Sequence, residues 1–465
     1  MPDYSKIATD FLLESESIIN RIDEYPVETA IKLYDALERA AWLSSENIKE
    51  MDSEIRVEIC KKLDLLLERI VDVISFRQIG SQAGIYTPAI QAHRRWQNVE
   101  LLKDKGLTGY LLAREISANA AMFFCTKLEN YPYLADLPDM QLLCTDSESG
   151  LADVYYDHLR ANYNKMDILI LHGMYSETQI YLNEYRKLRP DGKVYCGLDM
   201  NSIWMAKINW SHPDVRRFAK QCDLIATSCK SLRDEFNQRY TVSFPCRYFP
   251  NGFYNPKNIK IVAESSIKEN TIITVGRIGI DPKNNMELMI AFAKASAALK
   301  NWKLKLIGNI EPEFQTIIND FIAAFPDLKE RIIFIGAITD KVELYNEYAK
   351  AKIFALTSLE EGGTPNVYAE ALFHGCMFIT SDIDAADDIT NCGELGMKYK
   401  RGDIDELTRS LIKLCSEADT SAFSRHIPKS LDYAAKYYDW NRNAKKLAYA
   451  LLKPKLTNTY TISHY

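Results

Sequence analysis

Four charged side chains in this 465-residue chain have the types and spacing to hold a ligand: Arg277 and Lys283 suit an anionic ligand, and the carboxylates of Glu361 and Glu370 suit hydroxyls. The two glutamates lie in ALTSLEEGGTPNVYAEALFHG, residues 355–375. The apolar run 352–356 predicts a buried strand. A polar turn follows, carrying Glu360, Glu361, Gly362 and Gly363. Thr364 and Pro365 then open a predicted helix that carries Glu370, because threonine is a good N-cap and proline is favoured at the first helical position. A strand, a glycine turn and a helix N-terminus together present N–H groups and roughly half a positive charge, which suits a diphosphate. The same residues also fit an ordinary strand-to-helix turn with two solvated glutamates.

Gly276 and Arg277 end another predicted strand, TIITVGRI, and Lys283 follows six residues after Arg277. Cations at the carboxyl end of a parallel strand sit where open α/β sheets bind ligands. Charge-assisted hydrogen bonds from such groups are worth roughly 1.5–3 kcal/mol each. Solvated loop side chains are the alternative. His172 closes the apolar run DILILHG, at a strand end where it can meet an acceptor, a sugar hydroxyl or a phosphate, or simply be a hydrogen-bonded strand-end histidine. Gly80 and Gly84 bracket GSQAG, where backbone can approach a phosphate or an acceptor, as any tight turn allows. The D-x-D pair Asp382 and Asp384, in DIDAADD, reads as a solvated turn rather than a metal site.

The elements that must position these groups follow from periodicity. Residues 1–66 read as helices, with apolar positions at helical spacing in AIKLYDALERAAWL and IRVEICKKLDLLLERI. Mixed charges favour a packing role for this extension over a membrane-surface one, and it is compatible with a homodimer contact or peripheral membrane contact. From Arg69 onward, strands and helices alternate. Strands are expected at 70–76, 109–113, 140–144, 166–172, 193–198, 223–228 and 246–249, with a helix at 89–106. A second alternating set starts at Thr271, with strands at 271–278, 303–307, 331–335, 352–356 and 376–380. Alternation of this kind implies parallel sheets covered on both faces. The expected segments are a helical extension (1–66), a first α/β domain (67–262), a second (263–435) and a closing helix with its tail (436–465).

Composition narrows the classes. A net charge of −6 and a pI near 5.8 argue against a general nucleic-acid binder. Ten cysteines without a C-x-x-C pair read as reduced thiols of a cytoplasmic protein. No run approaches the ~20 apolar residues of a spanning helix, and the first residues lack the apolar core of a signal peptide.

Several segments together resemble the nucleotide-sugar domain of the retaining glycosyltransferases of family four, the GT-B proteins with two facing Rossmann-like domains. They are VGRIGIDPKNNMELMIAF, LKLIGN, IIFIGAITDKVELYNEYAKAKIFALTSLEEGGTPNVYAEALFHGCMFITSD and GELGMKYKRGDIDEL. DILILHG, CDLIATSCKSLRDEF, FPNG and the closing DWNRNAKKLAYALL add weaker echoes in the rest of the chain. The resemblance implies that Arg277 and Lys283 bind the donor diphosphate and stabilise it as it leaves. It implies that Glu370 binds the ribose and that Glu361 meets the transferred sugar. Gly276, Gly362, Gly363, Thr364 and Asn366 would line the donor, and His172 would lie near the reacting centre. One departure stands out: the family places seven residues between its glutamates, whereas Glu361 and Glu370 are separated by eight, GGTPNVYA, which leaves Glu360 and Glu361 as alternatives. The implied activity is metal-independent, retaining transfer of a hexose from a UDP- or GDP-sugar to a glycan, lipid-linked or other acceptor, with no further cofactor. A non-catalytic partner subunit and a sugar-nucleotide epimerase are the competing expectations, and the intact Arg277, Lys283 and Glu370 weigh against the first.

Overall fold

The computed structural model describes residues 4–46, 52–72, 84–87, 98–116, 120–126, 130–145, 151–239 and 246–452. The chain forms two compact units, Met1–Pro250 with Trp440–Tyr465, and Asn251–Asp439.

Among the described residues the first unit has seven parallel strands: β1 Gly84–Thr87, β2 Ala120–Thr126, β3 Met140–Thr145, β4 Ile168–His172, β5 Lys193–Gly197, β6 Leu224–Thr227 and β7 Cys246–Tyr248. Their order is β3-β2-β1-β4-β5-β6-β7, with every pair parallel. β4 is buried along its whole length, as a central parallel strand should be. Two expected strands are corrected. Ile70 and Val71 belong to the helix Ser53–Val71, and residues 73–76 lie outside the described residues. Residues 109–113 lie in the helix Asp104–Glu115, whose residues from Gly106 to Ala113 are all buried. A helix buried on every side loses its 3.6-residue period and mimics a buried strand. Gly106, expected to end the preceding helix, sits inside this one; a Cβ there would lie 2.3 Å from the Leu101 carbonyl oxygen. Strands β1 and β2 were absent from the sequence expectations.

Three helices precede the sheet, Tyr4–Ile19, Val27–Glu46 and Ser53–Val71. They are joined to the unit by buried charges. Asp64 pairs with Arg233 and, at 3.2 Å, with Arg247. Arg247 is buried and also donates to the Tyr34 hydroxyl at 2.9 Å. Glu68 pairs with Arg442 at 2.9 Å and with Lys446, both on the helix Trp440–Leu452.

The second unit is built on six parallel strands: β8 Glu269–Val275, β9 Lys303–Ile307, β10 Ile332–Gly336, β11 Ala351–Leu356, β12 Met377–Ser381 and β13 Gly396–Tyr399. Their order is β10-β9-β8-β11-β12-β13. Ile272, Leu304, Ile353 and Ile379 from the sheet pack with Phe292, Trp302 and Leu411 from the covering elements. Five of these strands lie where periodicity put them, to within a few residues; β13 had not been expected. Gly308 is required where β9 ends, because a Cβ there would lie 1.6 Å from the Gly276 carbonyl oxygen.

A buried lysine braces two helices of this unit. The Lys268 ammonium donates to the carbonyls of Ala351 and His374, each at 2.6 Å, and of Tyr348 at 3.3 Å. These oxygens end the helices Lys341–Lys350 and Asn366–Phe373, so one cation serves two helix C-termini. The His374 ring stacks on Tyr348 with centroids 5.5 Å apart, and its Nδ1 lies 2.7 Å from the Glu370 carbonyl. Burial pushes His374 down to about 4, and His426, whose Nε2 meets the Cys376 carbonyl at 3.1 Å, is pushed down to about 4 by the same cause.

Two predictions come from this packing. Asp64→Ala takes from the buried Arg247 guanidinium the carboxylate it pairs with, and leaves Arg233 with Asp234 alone at 2.7 Å; it should cost about 3–5 kcal/mol, read as a lowered melting temperature. For the histidines, the unfolded chain takes protons near pH 6.5 and the folded chain only near 4. The unfolded state therefore binds more protons between those values. Stability is full above about 6.5 and is lost as pH falls toward 4, at about 1.4 kcal/mol per pH unit for each neutral imidazole. Denaturant unfolding at a series of pH values should show this slope, and His374→Gln should reduce it by one imidazole's share. An unchanged slope in that variant would show that His374 does not titrate this way.

Candidate active site

The glutamate turn hangs from the end of β11 and is tied down on several sides. The Thr357 hydroxyl donates to the carbonyls of Lys283 and Asn284, both at 3.1 Å. The Leu359 amide donates to the Pro282 carbonyl at 2.8 Å. The Ser381 hydroxyl donates to the Ser358 carbonyl at 2.6 Å, and Arg401 donates to the Leu359 carbonyl at 2.7 Å. The turn after β11 is thus fixed to the turn after β8, its neighbour in the sheet.

Across that junction the Lys283 ammonium forms an ion pair with Glu361 Oε1. The Ser358 hydroxyl donates to the same oxygen at 2.6 Å. Both partners keep some exposure, 22% for the lysine side chain and 14% for the glutamate. Glu360 is exposed, so of the two adjacent glutamates Glu361 is the one held beside the cation. Arg277 follows β8, exposed, and makes no hydrogen bond or ion pair with a described residue. Gly276 donates its N–H to the Ile307 carbonyl at 2.9 Å. Gly362 is exposed, and Gly363 is buried with φ +93°, a backbone conformation that favours glycine.

The helix start differs from expectation by one residue. The helix runs Asn366–Phe373, and Pro365, with φ −61° and ψ 133°, occupies the N-cap in extended geometry. Pro365 has no side-chain group to cap the first turn. Thr364 instead precedes the cap, is buried, and accepts at its carbonyl from the Asn251 side chain at 2.7 Å. Asn366 opens the helix.

Glu370 sits one turn further along. Its Oε1 accepts from the Lys341 ammonium at 2.7 Å, and its Oε2 from the buried Tyr348 hydroxyl at 3.0 Å. Burial and the neighbouring Glu370 hold the Tyr348 phenol well above its ordinary range, so it remains a donor. Sequence reasoning singled out neither Lys341 nor Tyr348, which lie 29 and 22 residues from Glu370. The signal available was electrostatic: a lysine in the first turn of a helix opposes the helix dipole. Ser358 was missed for a simpler reason, since a serine in a polar turn carries no distinguishing pattern.

Asp382 accepts from Arg401 Nε at 2.9 Å and from its backbone N–H at 3.0 Å, so this member of the D-x-D pair braces the loop that holds Leu359. Among the described residues no three His, Cys, Asp or Glu side chains gather as a metal site would require. His172 ends β4 in the first unit, 5% exposed, and burial pushes it down to about 4, leaving a neutral ring. Its Nε2 has no hydrogen-bond partner among the described residues, while nearby Lys105 pairs with Asp199 at 3.2 Å. Gly84 is the first residue of β1, paired with Ala120, rather than part of a loop. Gly80 lies outside the described residues. No helix among the described residues is long and apolar enough to cross a membrane.

Residues 269–417, about a third of the chain, match the family model for glycosyl transferases group 1. No curated protein matches the chain. Solved structures match it more widely. The lipopolysaccharide outer core galactosyltransferase WaaB, in its apo form, is 16% identical with a TM-score of 0.58, covering 80% of this chain and 99% of its own. A glycosyltransferase from Rickettsia africae is 14% identical with a TM-score of 0.60, covering 81% of this chain and 100% of its own. Anabaena HepE in complex with UDP is 14% identical with a TM-score of 0.59, covering 80% of this chain and 100% of its own. Identities this low speak for fold alone. The cluster of Lys283, Glu361 and Glu370 thus lies within the stretch that matches the glycosyl transferases group 1 model, in a chain with the α/β fold of the GT-B glycosyltransferases.

Proposed function

We propose that this protein is a cytoplasmic, metal-independent, retaining glycosyltransferase that takes a hexose from a UDP- or GDP-sugar and gives it to a hydroxyl of a glycan, lipid-linked or other acceptor. The observation that carries this reading is the Lys283–Glu361 ion pair, held at the junction of two strand-end turns beside the N-terminus of the helix Asn366–Phe373. In the proposed reaction the donor diphosphate takes over Lys283, and Glu361 is released to accept from a hydroxyl of the sugar. Arg277, exposed at the same strand end, supplies the second cation. Cleavage builds negative charge on the departing nucleoside diphosphate, and preorganised cations and amide N–H groups stabilise that charge as it develops. Glu370 binds the ribose. In the first unit, the neutral His172 ring is the group suited to an acceptor or sugar hydroxyl. The solved complexes of HepE with UDP-glucose, and of the pneumococcal O-GlcNAc transferase GtfA with UDP and GlcNAc, support a UDP-sugar as the first donor to try.

The test is nucleoside diphosphate release from a panel of nucleotide sugars, with the parent protein and with Lys283→Ala and Glu370→Ala. The parent should turn over one donor. Each variant should fall by roughly 100-fold or more, as expected when a transition-state or donor contact of this kind is removed, while melting within a few degrees of the parent. Parental turnover in both variants would show that the site lies elsewhere. Calorimetric titration with UDP and GDP separates the transferase from a purely structural subunit, which should bind neither.

A further inference from the structure

The Glu370 carboxylate is more constrained than a ligand-binding glutamate needs to be for its own stability. One donor sits on each oxygen: Lys341 at 2.7 Å on Oε1 and Tyr348 at 3.0 Å on Oε2. The elements carrying those donors are themselves fixed. Lys268 ties the C-terminal ends of both helices together through the Tyr348, Ala351 and His374 carbonyls, and His374 lies against the Glu370 carbonyl. The Lys341 and Glu370 side chains are only 22% and 14% exposed, so holding this pair carries a desolvation cost. Helix stability does not account for Lys341. Asp340 already caps that helix, accepting from the amides of Val342 and Glu343 at 2.7 and 3.0 Å, and a cation in the first turn opposes the dipole.

We infer that Lys341 is the positioning residue for ribose recognition: with the Tyr348 hydroxyl, it fixes both oxygens of Glu370 so that the carboxylate receives the vicinal hydroxyls of a ribonucleoside diphosphate. This rests on the reading of Glu370 as the ribose ligand and extends it to a substrate class, ribonucleotide in preference to 2′-deoxyribonucleotide. A carboxylate with one donor on each oxygen retains a lone pair on each, and two such sites side by side match a cis-diol. A carboxylate free to rotate would accept one hydroxyl at a time and discriminate less. Tyr348 is fully buried and contributes a single hydroxyl, so its removal tests the same geometry from the other oxygen.

The experiment is calorimetric titration of the full chain with UDP, GDP and their 2′-deoxy counterparts, comparing the parent with Lys341→Met, Lys341→Arg and Tyr348→Phe. The parent should prefer the ribo form of its nucleotide by about tenfold, the worth of one charge-assisted hydrogen bond. Lys341→Met should cut that preference to less than about threefold, with affinity for the ribo form falling to near that of the deoxy form. Lys341→Arg should restore most of it, and Tyr348→Phe should weaken it in the same direction. A purely structural role would lower both affinities together and leave their ratio alone. Lys341→Met with the parental ratio therefore overturns the inference while leaving the donor site intact. A parent that binds a nucleotide without preferring the ribo form removes Glu370 from the ribose, and this inference with it. A parent that binds neither UDP nor GDP overturns the donor-site reading itself.

Discussion

The candidate site depends on one topological constraint: in the second unit, β8 and β11 are hydrogen-bonded neighbours although two strands, β9 and β10, and three α-helices separate them in sequence. The strand order reverses between them, and in an open parallel sheet the loops leaving two such strands diverge and open a crevice at their carboxyl ends. Lys283 comes from the loop after β8 and Glu361 from the loop after β11. Their ion pair therefore closes a contact 78 residues apart in sequence that the sheet has already made short in space. The bonds from Thr357 and Leu359 to the turn at 282–284 do the same job with neutral groups. The charges are free to exchange partners because the backbone holding them does not rely on that exchange.

The first unit uses buried charge differently. Asp64 stands between two buried guanidiniums, and Glu68 between an arginine and a lysine of the last helix. Each carboxylate is on the inner face of Ser53–Val71, four residues apart and so one turn apart on the same side. A helix carrying two such anchors has essentially one register against its neighbours, since a one-turn slip would leave at least one buried cation unpaired. This makes the N-terminal helices part of the first unit's packing. The side of the helix that a sequence reading takes as amphipathic surface is in fact a charged seam.

What could be read from sequence follows from where the periodic signal survives. The strands of the second unit, such as TIITV and KIFAL, are short apolar runs bounded by glycine and polar turns, and there the pattern locates them. Gly276, Lys283, Glu361 and Gly363 stood out for the same reason, lying in the turns that follow such runs. The signal fails where an element is buried all round, as in GYLLA, residues 109–113, which forms helix while reading as strand. It fails for β13, only four residues long with Lys398 exposed along it. It fails again at Pro365: Thr-Pro matches a cap followed by a first helical residue, but the proline takes extended backbone and the helix begins one residue later. Lys341 and Tyr348 illustrate a deeper limit. Their meaning lies in a contact with Glu370 across two helices, and no local window contains both ends of that contact.

The two ion pairs of the site differ in what holds them, and that difference bears on what each can do. Lys283 meets Glu361 from one loop to another, with a single further hydrogen bond, from Ser358, on the shared oxygen. Lys341 meets Glu370 from one helix to another, with Tyr348 on the second oxygen and Lys268 bracing both helices from behind. At an effective dielectric of about 20, two unit charges 4 Å apart interact by about 4 kcal/mol, so either pair resists separation unless an equivalent counter-charge arrives. A diphosphate can provide that for Lys283, since it brings more negative charge than the carboxylate it displaces. In the proposed site a ribose brings none, so the Lys341–Glu370 pair would stay closed and act as a fixed acceptor. In the proposed reaction this divides the labour: the loop-borne pair opens to take on charge that grows as the donor bond breaks, and the helix-borne pair holds the donor still while it does so. Binding energy is then spent chiefly where the transition state differs from the bound donor, which is where it can raise the rate.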